Sequence, residues 1–331
     1  MQGKVALEEH LNTEEHDRLW DKKAEAARNG REYMEVVHRR LLDSAERIEH
    51  MDKCGIETAI VAMTANSAQG IPDPKLALEF CQRTNDLIAE TFLRRYPARL
   101  QGFATVPLQS PASAADELER AVRELGMKGT MIYGYSNIGD KDTAQYLDEP
   151  PVWEFWDRVA RLNVPVYLHP REPLPNQRRI YEGYPALIGS AWGFAIETGT
   201  HAVRLILSGL FDKYPNLTII LGHMGEGLPH LLPRLEWRLK KQRHGLGATH
   251  LKMPVSEYFL KNFYVTTSGH FHTKTLLNLI AEIGVDRVMF SVDYPYEEME
   301  DASAWFDTAL LSDNDRQKIG RDNARRLFGL K

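Results

Sequence analysis

The chain of 331 residues lacks the features that mark several broad classes. It has no apolar run of about 18 residues, the length a bilayer-spanning helix needs. Its two cysteines, Cys54 and Cys81, form neither a disulfide framework nor a CxxC pair; two buried, reduced thiols in a cytoplasmic protein are expected. The start of the chain carries no signal-peptide core. Positive charge is not in excess: the net charge of −5 offers no electrostatic footprint for nucleic acid or an anionic membrane. A dinucleotide fingerprint is missing too, since "GHMGEG" at 222–227 lacks the G-x-G-x-x-G spacing and its acidic partner. There is no low-complexity segment and no internal repeat.

What is present is an alternation. Short runs rich in Val, Ile and Thr fall at 5–9, 58–64, 101–107, 129–134, 164–169, 217–223, 263–268 and 287–293. Helical periodicity occupies stretches near 75–95, 111–126, 151–162, 193–211, 226–243, 273–283 and 300–311. The stretch "SPASAADELERAVRELG" shows the signals: a Ser-Pro start, acidic residues early, and glycine after the last turn. Strands alternating with helices imply parallel pairing. A doubly wound open sheet fits this pattern, but eight strands over this length favour a (β/α)8 barrel of the TIM type. No Pro- or Gly-rich linker divides the chain, so 1–331 reads as one domain. Residues 11–42 form a charged, helical insertion after the first strand, with Trp20 and Tyr33 embedded; it is either solvated or a lid at the barrel mouth. "DRQKIGRDNARRLFGL" reads as a C-terminal helix covering the barrel.

In such a barrel the C-terminal ends of all strands converge on one mouth. The first strand ends in "ALEEH", where alternation puts Glu8 and His10 on one face and Glu9 on the other. The fifth ends in His169, the sixth in His223 with Glu226 beyond it, the eighth in Asp293. Alone, each fits a hydrogen-bonded strand end or a turn residue. Converging, they form the N/O donor set that Zn²⁺ or Mn²⁺ accepts, and carboxylates buried there without a cation would be costly.

These residues resemble the amidohydrolase superfamily, in which Glu-x-His, His, His and Asp follow one another on strands 1, 5, 6 and 8. More narrowly, "GKVALEEH", "VPVYLHPREPLP", "IILGHMGEGLP", "TTSGHF", "FSVDYPYE" and "KIGRDNARRLF" are similar to motifs of the metal-dependent, non-oxidative decarboxylases of ortho-hydroxybenzoates. The likeness spans 3–330 and is weakest over 11–42 and 240–262. It implies one divalent metal, Zn or Mn, held by Glu8, His10, His169 and Asp293. It implies catalytic roles for Asp293, His223 and Glu226, and aromatic walls at Phe194 and Tyr296. It places Arg234 near the pocket or a subunit contact, and it implies a homotetramer. Trp192 and Tyr294 are further candidates for the wall. The implied substrate is a small aromatic acid such as 2,6- or 2,3-dihydroxybenzoate. Protonation of the ring carbon before CO₂ leaves would avoid an aryl carbanion, with Asp293 as the candidate donor. The alternative is a metal-dependent hydrolase of a lactone or amide, using the same ligands with Asp293 as base for a water.

Overall fold

A computed structural model describes residues 1–19, 22–245 and 250–330; Trp20 lies outside them. Eight parallel strands run in chain order: β1 (Lys4–Leu11), β2 (Ile56–Met63), β3 (Leu100–Gly102), β4 (Thr130–Tyr133), β5 (Val166–His169), β6 (Ile219–Leu221), β7 (Phe263–Thr266) and β8 (Val288–Met289). Neighbours in sequence are neighbours in space: β1–β2–β3 form one ladder and β4 to β8 another. A bridge between Ala104 and Thr130 joins the two ladders. Beyond β8 the chain returns to β1, where Asp293 N–H donates to Glu8 O at 3.0 Å and His10 N–H donates to Tyr294 O at 2.7 Å. The order therefore never reverses and the sheet closes, which is the (β/α)8 barrel rather than an open sheet.

Alternation sorts the strand residues into two layers. Ile60 and Ala62 of β2 pack inside the barrel with Val5, Leu7, Phe103, Tyr167 and Ile220. Ala59 and Val61 face the surrounding helices with Ile132, Leu168 and Leu221. The helix Asn323–Phe328 closes the chain; its Phe328 packs edge-on against Phe103, with ring centroids 5.7 Å apart.

β7 and β8 are shorter than the sequence suggests, because side chains replace the ladder where they end. After β7 and β8, Ser291 N–H donates to Thr267 Oγ1, and the Thr267 hydroxyl donates to Ser291 O, both at 3.0 Å. The helical stretch 193–211 breaks at Gly209, whose φ of 79° ends the helix Gly193–Leu207. The helices Ser44–Cys54 and Val255–Asn262 have no counterpart in the sequence reading.

The segment after β1 forms the helices Glu14–Leu19, Lys22–Asn29 and Arg31–Leu42. Its Met34, Val37 and Leu41 are buried in a small cluster that includes Tyr296. Tyr33 Oη donates to Tyr296 O at 2.8 Å, Arg40 pairs with Glu298 at 2.7 Å, and Arg28 pairs with Glu172. These tethers lay the segment over the loops that follow β5 and β8.

Candidate metal centre

The register of β1 decides what its end presents. Ala6 pairs with Ala59 but Glu9 pairs with Val61, so three steps on β1 oppose two on β2. This is a β-bulge, the device by which strands re-aim side chains. Before it, Val5 and Leu7 point inward and Ala6 outward; after it, Leu11 points outward, and Glu8 and His10 turn into the barrel mouth.

Glu8, His10, His169 and Asp293 each bring one donor atom to a common point, with those atoms within 4.8 Å of one another. His169 Nε2 lies 3.0 Å from Glu8 Oε1, and His10 Nε2 lies 2.9 Å from Asp293 Oδ1. Glu8 Oε1, His10 Nε2 and Asp293 Oδ1 are buried without a hydrogen-bond partner among the described residues. The atoms behind them are satisfied. Glu8 Oε2 accepts from the hydroxyls of Tyr167 and Ser268. His169 Nδ1 lies 2.8 Å from Pro170 O, an acceptor that requires a proton on that nitrogen. His10 Nδ1 lies 3.3 Å from Tyr133 Oη, whose own proton goes to Met63 O. In the neutral form both rings keep an Nε2 lone pair for the common point, an arrangement that fits a divalent cation. Gly222 is part of the seat: a Cβ there would lie 2.5 Å from Glu8 Oε2.

His223 stands beside this cluster. The residues from His223 to Glu226 run through left-handed conformations, with φ of 48°, 57°, 81° and 55°. At each of the three non-glycine positions that costs about 1–2 kcal/mol. The turn brings His223 Nδ1 to 2.7 Å from Glu226 Oε1, and points Nε2 at Asp293 Oδ2, 3.4 Å away, and Glu8 Oε1, 3.8 Å away. Asp293 is itself left-handed, with φ 81°.

Electrostatics follow from this packing. Burial alone would raise the Glu8 carboxyl, but His223, then His169 and His10, hold it well below the carboxylate range. Burial also opposes ionisation of Asp293, and the His10 and His223 imidazoles beside it still bring it below its ordinary value. Burial pushes His10 down. His223 behaves oppositely: against burial, Glu226 and Glu8 raise it well above an ordinary imidazole. Glu9, outside the cluster, is pushed up to about 8 by burial.

A cavity of about 120 Å³ opens on the cluster. Phe194 and Tyr296 line it, and Tyr296 Oη shares a hydrogen bond of 2.6 Å with Thr64 Oγ1. Glu25, Arg28, Asn29 and Tyr33 roof it; of the four, the sequence reading singles out only Tyr33, because nothing in a charged helix marks the face it turns to a mouth. Three other candidates lie elsewhere. Trp192 is 57 % exposed and does not line the cavity. Tyr294 is fully buried and turned away, under the Arg47 guanidinium. Arg234 is exposed on the helix Leu228–Lys241, along a groove with Ile196 and Leu231.

The amidohydrolase family model matches residues 37–330. A γ-resorcylate decarboxylase of Rhizobium radiobacter is 47 % identical over 335 residues, covering 100 % of this chain and 99 % of that protein. The crystal structure of a 2,6-dihydroxybenzoate decarboxylase complexed with 2,6-dihydroxybenzoate superimposes with a TM-score of 0.94 at 46 % identity, covering 100 % of both chains. A dihydroxybenzoic acid decarboxylase from Polaromonas sp., solved with manganese and the inhibitor 2-nitroresorcinol, gives a TM-score of 0.94 at 45 % identity over 100 % of this chain and 98 % of that one.

Proposed function

The chain belongs to the amidohydrolase family, and from that premise we propose that it is a carboxy-lyase, a metal-dependent, non-oxidative decarboxylase of ortho-hydroxybenzoates such as 2,6- or 2,3-dihydroxybenzoate. The observation that carries the reading is the set of four donor atoms at the floor of an aromatic-walled cavity. Glu8, His10, His169 and Asp293 would hold one divalent ion; manganese in a relative supports Mn²⁺, and the imidazole pair suits Zn²⁺ as well. When bound, that ion supplies a Lewis acid and a template for a carboxylate and its ortho oxygen.

The side chains divide the remaining work. Phe194 and Tyr296 seat the ring. His223, kept cationic by Glu226, offers a charge to the substrate's carboxylate next to Asp293. Asp293 is ionised at rest. It takes a proton from the incoming phenol and delivers it to the ring carbon bearing the carboxylate. That carbon becomes tetrahedral, its bond to the carboxylate breaks, and CO₂ leaves as aromaticity returns. The roof from the segment after β1 keeps water from the dearomatised ring.

We take the whole chain as one barrel domain with that segment at its mouth. No described helix is long and apolar enough to cross a membrane, and the free Cys54 and Cys81 support a cytoplasmic site. The exposed Ile196, Leu231 and Trp237, with Arg234 beside them, support a homo-oligomer, with a tetramer as the state to test. Release of CO₂ from 2,6- and 2,3-dihydroxybenzoate by Mn²⁺- and Zn²⁺-loaded protein tests the function; hydrolysis of a lactone without decarboxylation would replace it.

A further inference from the structure

We infer that Ser291 and Glu9 are positioning residues that hold open the bulge in β1 and thereby set the metal affinity of the site, an inference that rests on the metal-dependent reading above. In a regular strand, successive N–H groups point to opposite sides. Here the N–H groups of Leu7 and Glu8 both donate to one atom, Ser291 Oγ, at 3.2 and 2.6 Å. Only the bulge lets them converge, and only an acceptor at that point keeps both from being buried unpaired.

The Ser291 hydroxyl has two lone pairs and one proton, and all three are used. Its proton goes to Glu9 Oε1 at 3.2 Å, and the same carboxyl oxygen accepts Val292 N–H at 3.0 Å. Glu9 stands on the outward face, so it clamps from behind what Glu8 and His10 present in front. Both donors it holds belong to the segment that leads into Asp293. Three of the four cluster residues are thus fixed relative to one another by one hydroxyl and one carboxyl group. Without the bulge, the inward alternation of Val5 and Leu7 would continue to Glu9, and Glu8 and His10 would face the helices.

The test is Mn²⁺ binding to the full chain by equilibrium dialysis, a readout independent of turnover. Ser291→Ala and Glu9→Met remove the acceptors and are expected to weaken Mn²⁺ binding about tenfold or more, the usual effect of losing a group that orients ligands. Glu9→Gln keeps an acceptor oxygen and is expected to bind close to the parent. Phe259→Leu, in the outer layer, is expected to lower the melting temperature without changing Mn²⁺ affinity, which separates positioning from general stability. If Ser291→Ala does not fold, the Glu9 pair decides. Parental Mn²⁺ affinity in Ser291→Ala and Glu9→Met overturns the inference. A parent protein that takes up no Mn²⁺ contradicts the proposed function instead.

Discussion

His169 Nε2 faces Glu8 Oε1 across 3.0 Å, while the other nitrogen of the ring donates to Pro170 O. A neutral imidazole in that tautomer meets the carboxylate lone pair to lone pair, in a site where both groups are buried. A divalent cation held there would turn the repulsion into attraction for both groups, and the same applies to His10 and Asp293 at 2.9 Å.

Metal removal is therefore expected to destabilise the fold. Chelation should lower the melting temperature, and Mn²⁺ should restore it. An ion at 100 times its dissociation constant adds about 2.7 kcal/mol. His169→Ala should lose metal content and activity together. Full metal occupancy in that variant, measured by elemental analysis, would remove His169 from the site.

Asp293→Asn should abolish turnover far more than it weakens substrate binding, because the amide cannot shuttle the proton. A variant that decarboxylates within about tenfold of the parent, a barrier change under about 1.4 kcal/mol, would assign the proton to another group.

The barrel and the convergence of the strand ends were legible in the sequence because periodicity and chain order are local properties. That Glu8 and His10 share a face followed from alternation. Which face they share did not: the bulge at Leu7–Glu8 depends on Ser291, some 280 residues away, and reverses the parity. The same limit explains Trp192 and Tyr294, whose aromatic character fits a pocket wall but whose backbone carries them elsewhere. The roof was legible only as one of two readings, a lid or a solvated insertion, since Arg28 and Tyr33 sit in helices with no apolar signature of a covered mouth.

Arg28 lines the cavity with its guanidinium paired to Glu172. Arg28→Met is expected to raise KM by about tenfold with a smaller change in kcat, since it shapes the roof and not the reacting atoms. Steady-state kinetics on 2,6-dihydroxybenzoate check this. An unchanged KM would place the roof's contribution in other side chains.

His201 gives a pH dependence distant from the cluster. It is buried, its Nε2 accepts Leu147 N–H at 3.0 Å, and burial pushes its pKa down to about 3. In the unfolded chain it titrates near an ordinary imidazole value of about 6.5. Above that pH both states are neutral and its contribution is complete. As pH falls, the unfolded state takes a proton that the folded state refuses, and stability drops by about 1.4 kcal/mol per pH unit from this group. Urea unfolding of His201→Gln between about pH 6 and 4 should be shallower by about that slope. An unchanged slope would show that the ring is protonated in the native state.

The most direct test of the account is substrate dependence in metal-loaded enzyme. Glu8, His10, His169 and Asp293 would hold the ion by four atoms, and only an oxygen ortho to the carboxylate would let a benzoate offer it two more. A para isomer loses the alignment of its ring carbon with Asp293, and a misplacement of about 1 Å costs about 100-fold. With Mn²⁺-loaded protein, CO₂ release from 2,6- or 2,3-dihydroxybenzoate should exceed that from 4-hydroxybenzoate by at least that factor, and bicarbonate with the product phenol should regenerate the ortho acid. Equal rates on 4-hydroxybenzoate and the ortho acids would contradict the account.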